Sequence, residues 1–212
     1  MVTSAGLVAE VRAVCRERLV SAGFRARSGD IFTRPVTGDV LAWLGLNRAV
    51  GRGDGLVEVN PVVGVRHQAL ESLVAELLGV KPHGYVPATL SSSLGYLMPG
   101  ARYRPWMFGG DVPLGGVADE MVADVAGHGV PYVERRSSLP AIVESMARGE
   151  GAKELTAIRL PTGYLLLGEP KYAIAALEAS ESALGNRQDL AAQRFRGFAT
   201  AFRRRLDVSR GG

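Results

Sequence analysis

The apolar residues of this chain change their period in blocks. Over residues 4–22, Leu7, Val8, Val11, Val14, Cys15 and Leu19 recur at the three-and-four spacing of one helix face. Past Gly23 that spacing stops. Short apolar runs follow, separated by Gly and Asp: Phe24–Arg27 and Ile31–Arg34 around Ser28-Gly29-Asp30, then Val40–Asn47 with Trp43 at its centre, then Leu56–Val65 after Gly51-Arg52-Gly53-Asp54-Gly55. A helix followed by turn-linked strands, with no helical crossover between them, predicts an antiparallel meander. The class expected is α+β, a mostly antiparallel sheet packed with helices. Pro61 has no N–H for a strand ladder, so Leu56–Val65 is expected to be an edge strand or to carry a bulge.

Helical spacing returns at 67–79, where Leu70, Leu73, Val74 and Leu77 share a face and Gly79 ends it. Residues 80–88 read as a Pro- and Gly-rich loop. Thr89–Met98 and Arg102–Phe108 read as two strands about the Pro99-Gly100 turn. A helix is expected near 117–126, an extended piece at Val130–Val133 and a helix at Leu139–Arg148. Leu155–Leu160 and Tyr164–Leu167 bracket Pro161-Thr162-Gly163 and read as a hairpin. A helix over about 170–183 and a long one from an Asn186 cap to Asp207 complete a C-terminal helical pair. The whole chain, 1–212, reads as one domain, with helix and meander over 1–110 and helices with a hairpin over 111–212.

Composition narrows the function classes. Hydrophobic residues are 47% and charged residues 22% of the chain, ordinary globular values. The apolar residues of the first helix are interrupted by Glu10, Arg12, Arg16, Glu17 and Arg18, so no secretion signal is expected there. No run approaches the roughly 18 apolar residues of a membrane span. Cys15 is the one cysteine. It cannot form an internal disulfide, and its place on the apolar stripe makes it a buried small hydrophobe. These features together predict a cytoplasmic protein. The net charge of +4 belongs to the last segment, where residues 182–212 hold Arg187, Arg194, Arg196, Arg203, Arg204, Arg205 and Arg210 against Asp189 and Asp207. The stretch 111–150, rich in Asp and Glu, is an acidic counterpart for it.

No catalytic signature is present. His67, His83 and His128 lack the spacing that places two rings on one metal. There is no nucleophile elbow around Ser91-Ser92-Ser93 and no phosphate loop, and Gly51–Gly55 joins two strands rather than a strand and a helix. Arg52-Gly53-Asp54 spells an adhesion tripeptide inside that turn. Gly211-Gly212 follows a helix, not the strand that a conjugation tail follows. No cofactor or metal is expected.

Two surfaces stand out instead. Tyr96–Gly110 is dense in aromatic residues and arginine, and a strand at Arg102–Phe108 would turn Arg102, Arg104 and Trp106 to one face. The last helix carries Arg196, Arg203 and Arg204 beside a stripe of Phe195, Phe198 and Phe202.

The opening pattern, from the first helix through Gly23-Phe24, Phe32-Thr33-Arg34 and Trp43-Leu44-Gly45-Leu46, resembles uncharacterised bacterial families of unknown function that begin with a helix and a β-meander. His128-Gly129-Val130-Pro131-Tyr132 and Ser137-Ser138-Leu139 are similar to their later segment. The likeness covers about the first two thirds of the chain and carries no catalytic residue across. Some such proteins occur near toxin–immunity or phage-defence cassettes, which implies a binding role. The expectation is therefore a non-enzymatic protein-binding or regulatory module using Arg102, Arg104, Trp106, Arg196, Arg203 and Arg204. Nucleic acid held by the basic last helix is the second candidate partner, and self-association is a third arrangement. An enzyme assembled from distant residues such as His67, Glu58 and Arg104 is a further alternative.

Overall fold

The computed structural model describes residues 4–50 and 55–210. Most of the Gly51–Gly55 turn, with its adhesion-like tripeptide, and the terminal Gly211-Gly212 lie outside the described residues. The chain is α+β and divides into two compact units, Met1–Val65 with Ser91–Ser137, and Arg66–Leu90 with Ser138–Gly212.

The first unit begins with helix α1 (Ser4–Ser21). Val11, Cys15 and Leu19, four residues apart, are its fully buried side chains. Gly23, at φ +86°, turns the chain out of the helix. Strands β1 (Arg25–Ala26), β2 (Ile31–Thr37), β3 (Val40–Val50) and β4 (Val57–His67) follow as the expected meander. The sheet order is β1-β2-β3-β4-β5, with β5 at Leu90–Ser93, and β6 (Trp106–Phe108) pairs antiparallel with Val57–Val59 of β4. The strand holding Pro61 is thus interior, which rules out the edge of the two arrangements expected, edge or bulge. Its pairing with β6 stops at Val59, two residues before the proline.

The helices α3 (Leu94–Leu97), α4 (Leu114–Asp124) and α5 (Val130–Glu134) complete this unit. Thr89–Met98 is therefore not one strand, because it bends into α3 after Ser93. The expected extended piece at Val130–Val133 is also helical. A π-helical turn, Val125–Gly129, joins α4 to α5 without a break, and Pro131 follows directly after it. Gly129 lies against Val63, where an added Cβ would stand 3.0 Å from a valine methyl.

Asp30, at φ +57° in the first hairpin, is paired with Arg12, at 2.8 Å, and with Arg48. Cys15 is 1% exposed. Burial pushes its thiol up from 9.0 to about 12, with Arg48 pulling the other way and Asp30 adding to the rise. A folded pKa above the unfolded one means that this group's contribution is intact below pH 9 and is lost as pH rises toward 12. Iodoacetamide at about pH 8 is expected to leave Cys15 unmodified in the native protein and to label it once urea unfolds the chain. Mass spectrometry reads the difference, and rapid native labelling would contradict the burial.

The second unit is helical: α2 (Gln68–Leu77), α6 (Leu139–Ala147), α7 (Lys153–Leu166), α8 (Pro170–Leu184) and α9 (Leu190–Arg210). The hairpin expected about Pro161-Thr162-Gly163 is instead the interior of α7. Proline supplies no N–H there, and Thr162 Oγ1 donates 2.7 Å to the Ile158 carbonyl one turn back. Tertiary contact explains the helix. Gly163 is so close to Val143 of α6 that an added Cβ would stand 2.5 Å from a valine methyl. The cap of α9 also differs from expectation: Asp189, not Asn186, accepts from Ala192 N at 3.0 Å.

Helix α9 is the apolar centre of this unit. Phe195, Phe198, Phe202 and Leu206 are buried with Leu73 and Leu77 of α2 and Leu177 of α8. The phenylalanine rings follow one another at centroid distances of 6.1 and 5.8 Å.

Candidate functional site

In the first unit the sequence points to Arg102, Arg104 and Trp106. Only Trp106–Phe108 is strand, so Arg102 and Arg104 lie on irregular chain rather than in line with the tryptophan. Trp106 is 3% exposed. It is an anchor in the interior, and its indole N–H is buried without an acceptor. The Arg104 guanidinium lies 5.6 Å over the Trp106 ring. It also pairs with Glu120 at 3.0 Å and with Asp124 at 3.9 Å. Arg102 is exposed and has no partner among the described residues. Tyr96 and Tyr103 are both about half exposed. Gly95 brings the two segments together, since a Cβ there would run into the Arg102 carbonyl oxygen and stand 2.9 Å from Arg104 N.

The arginines of α9 are largely committed within their own unit. Arg203 makes a two-point pair with Glu181 of α8, at 2.8 and 2.5 Å. That hydrogen-bonded pairing holds the Glu181 carboxyl below its ordinary value and the Arg203 guanidinium above its own. Arg196 donates to the Arg187 carbonyl at 2.6 Å, and Arg205 meets Glu76 of α2 at 3.2 Å. The partners of Arg203 and Arg205 thus come from α8 and α2, not from the acidic stretch 111–150. Arg204 is free among the described residues. Gln193, Gly197, Thr200 and Arg204 form the exposed side opposite the phenylalanine stripe.

The cluster that sequence reasoning missed is in the second unit. Arg66, at the end of β4, is 1% exposed, Glu71 on α2 5% and Arg159 on α7 3%. Glu71 accepts from Thr89 Oγ1 at 2.8 Å and from Arg159 Nη2 at 3.1 Å. Its Oε1 is 2.8 Å from Arg159 Nε, an ion pair by distance but without hydrogen-bond alignment. Arg66 Nη1 stands 3.8 Å from Glu71. Arg66 also donates to Gln68 Oε1 at 2.7 Å, to the Pro87 carbonyl at 2.5 Å and to the His83 carbonyl. Burial pushes the Arg66 guanidinium down, Glu71 opposes that, and Arg159 reinforces it. His67 is occupied locally, because its Nδ1 accepts from Leu70 N at 3.2 Å and caps α2. It belongs to the second unit, whereas Glu58 and Arg104 belong to the first.

Sequence signals for this cluster exist. Arg66 ends the apolar run Val62-Val63-Gly64-Val65, and Glu71 falls on the same helix face as Val74, Ala75 and Leu78. No helix of the described residues is long and apolar enough to cross a membrane. No group of three or more metal-ligating side chains occurs among them. No family model matches the chain, and no curated protein or solved structure is significantly similar to it.

Proposed function

We propose that the protein is a non-enzymatic binding module of a bacterial cytoplasm that holds another protein through Tyr96, Arg102 and Tyr103. The observation that carries this reading is their exposure on a backbone already fixed: Gly95 admits the 102–104 chain against α3, and the Ala101 N–H closes a turn onto the Met98 carbonyl at 3.0 Å. Tyrosine and arginine are the residue types over-represented among interface hot spots. A surface that needs little ordering on contact keeps more of its interaction energy as affinity. Trp106 contributes from beneath by fixing the segment, and Arg104 is already engaged with α4. The single buried thiol suits a reducing compartment.

Affinity purification from the native host, in nuclease-treated lysate, identifies the stoichiometric partner. The paired substitution Arg102→Ala, Tyr103→Ala is then expected to weaken its affinity at least about tenfold while leaving the circular dichroism spectrum and melting temperature unchanged. Arg204→Ala serves as the control without effect. Retention of every co-purifying partner by the paired variant would defeat the reading.

A further inference from the structure

The buried cluster of the second unit does not balance its own charge. Arg66 and Arg159 bring two positive charges and Glu71 one negative charge, all three side chains being at most 5% exposed. A guanidinium has five N–H groups. Arg66 uses three, on Gln68, Pro87 and His83. Arg159 uses two, on Thr89 O and Glu71 Oε2, and a third if its Nε contact with Glu71 is counted. At least four N–H groups in these two buried side chains therefore lack a protein acceptor, and five when the misaligned Arg159 Nε is included. An unmatched charge and unmatched donors are both costly away from water, so the arrangement is short of one anion.

Both arginines line a cavity of about 270 Å³. That is just below the roughly 300 Å³ at which common ligand pockets begin, and suits a single ring or a short acyl chain. The remaining wall is mostly apolar, with Val74, Ala75 and Leu78 from α2 and its end and Ile158 from α7. Lys81, His83 and Leu155 also line it and are exposed, so they mark its mouth.

We propose that this cavity binds a small organic monocarboxylate, its carboxylate held by the spare N–H groups of Arg66 and Arg159 and its hydrocarbon part by the apolar wall. One negative charge completes the pairing that Glu71 leaves unfinished. The planar fork of a guanidinium matches a carboxylate in two-point geometry. The apolar wall gives a hydrocarbon body an advantage that inorganic anions cannot use. This site is in the second unit and is independent of the partner surface on the first.

Titration of the full-length ¹⁵N-labelled protein with sodium benzoate and sodium hexanoate tests the idea, read at the arginine Nε–Hε resonances assigned to Arg66 and Arg159. Saturable shifts of both are expected, with affinity in the millimolar range or tighter. Benzamide and hexanamide, equal in shape but uncharged, are expected to leave them in place. Leu155→Glu puts a negative charge at the mouth on an exposed helical position. It is expected to weaken benzoate at least about fivefold without unfolding the protein. Absence of a saturable shift, equal response to the amides, or response to inorganic phosphate alone would each overturn the proposal and leave the cluster as a purely structural clasp.

Discussion

Glu71→Ala is expected to destabilise the protein by about 3–5 kcal/mol, the range for breaking a buried ion pair by removing one partner. The carboxylate is the common acceptor of Thr89 Oγ1 and Arg159 Nη2 and the one negative charge beside two buried guanidiniums. Removing it frees Arg66, α2 and α7 from their shared contact. It also leaves Arg159 facing Arg66 with nothing between them. Glu71→Gln keeps the volume and an acceptor for Thr89 while removing the charge, so a smaller loss is expected. Urea unfolding checks both, with a lowered midpoint at constant slope as the signature of lost stability. A loss below about 1 kcal/mol for Glu71→Ala would mean that water reaches and solvates both arginines.

Phe202→Ala is expected to cost about 3–5 kcal/mol, as truncations of buried aromatic side chains do. Phe202 is 0% exposed and packs between the helices that α9 brings together. Arg204→Ala, two residues on, is expected to stay within about 0.5 kcal/mol of the parent, because its side chain is exposed and unpartnered. Arg203→Ala falls between them, since a half-exposed pair such as Arg203–Glu181 contributes at most about 1 kcal/mol. Thermal and urea unfolding of the three variants separate these cases. If Phe202→Ala were nearly neutral while the arginine changes were severe, α9 would be held by charge rather than by its phenylalanines.

The parts of the fold legible in the sequence are those where a local signal and a tertiary contact agree. The α1 stripe of Val11, Cys15 and Leu19 is one. The hairpin at Ser28-Gly29-Asp30 is another, where Gly29 and Asp30 both take the positive φ that the turn requires. The α9 stripe is a third. Where the two levels conflict, tertiary contact prevails. Pro161-Thr162-Gly163 has the composition of a turn, yet the absent side chain of Gly163 is what lets α7 lie against Val143. His128-Gly129-Val130-Pro131 also looks like a break, and a π-helical turn carries the helix through it. The arginine–glutamate cluster was hidden for a different reason. Residues 66, 71, 89 and 159 are separated by spacings that belong to no motif, so only folding brings them together. Trp106 shows the same limit from the other side. Its residue type suggests contact with a partner, but its burial makes it a support for the neighbours that are exposed.

The two units interleave along the chain, and synthesis from the ribosome gives that arrangement a timescale. Leu77, the last residue of α2, is translated 118 residues before Phe195, the first phenylalanine to cover that helix. At roughly 5–20 residues per second, the phenylalanines of α9 follow about 6–24 s after α2, behind α7 and α8, which share the same cluster. During that interval Leu73 and Leu77 have only the nascent chain, solvent or a chaperone to meet. Synonymous changes that slow translation between 78 and 195 lengthen that interval, while the mature sequence and its final stability stay the same.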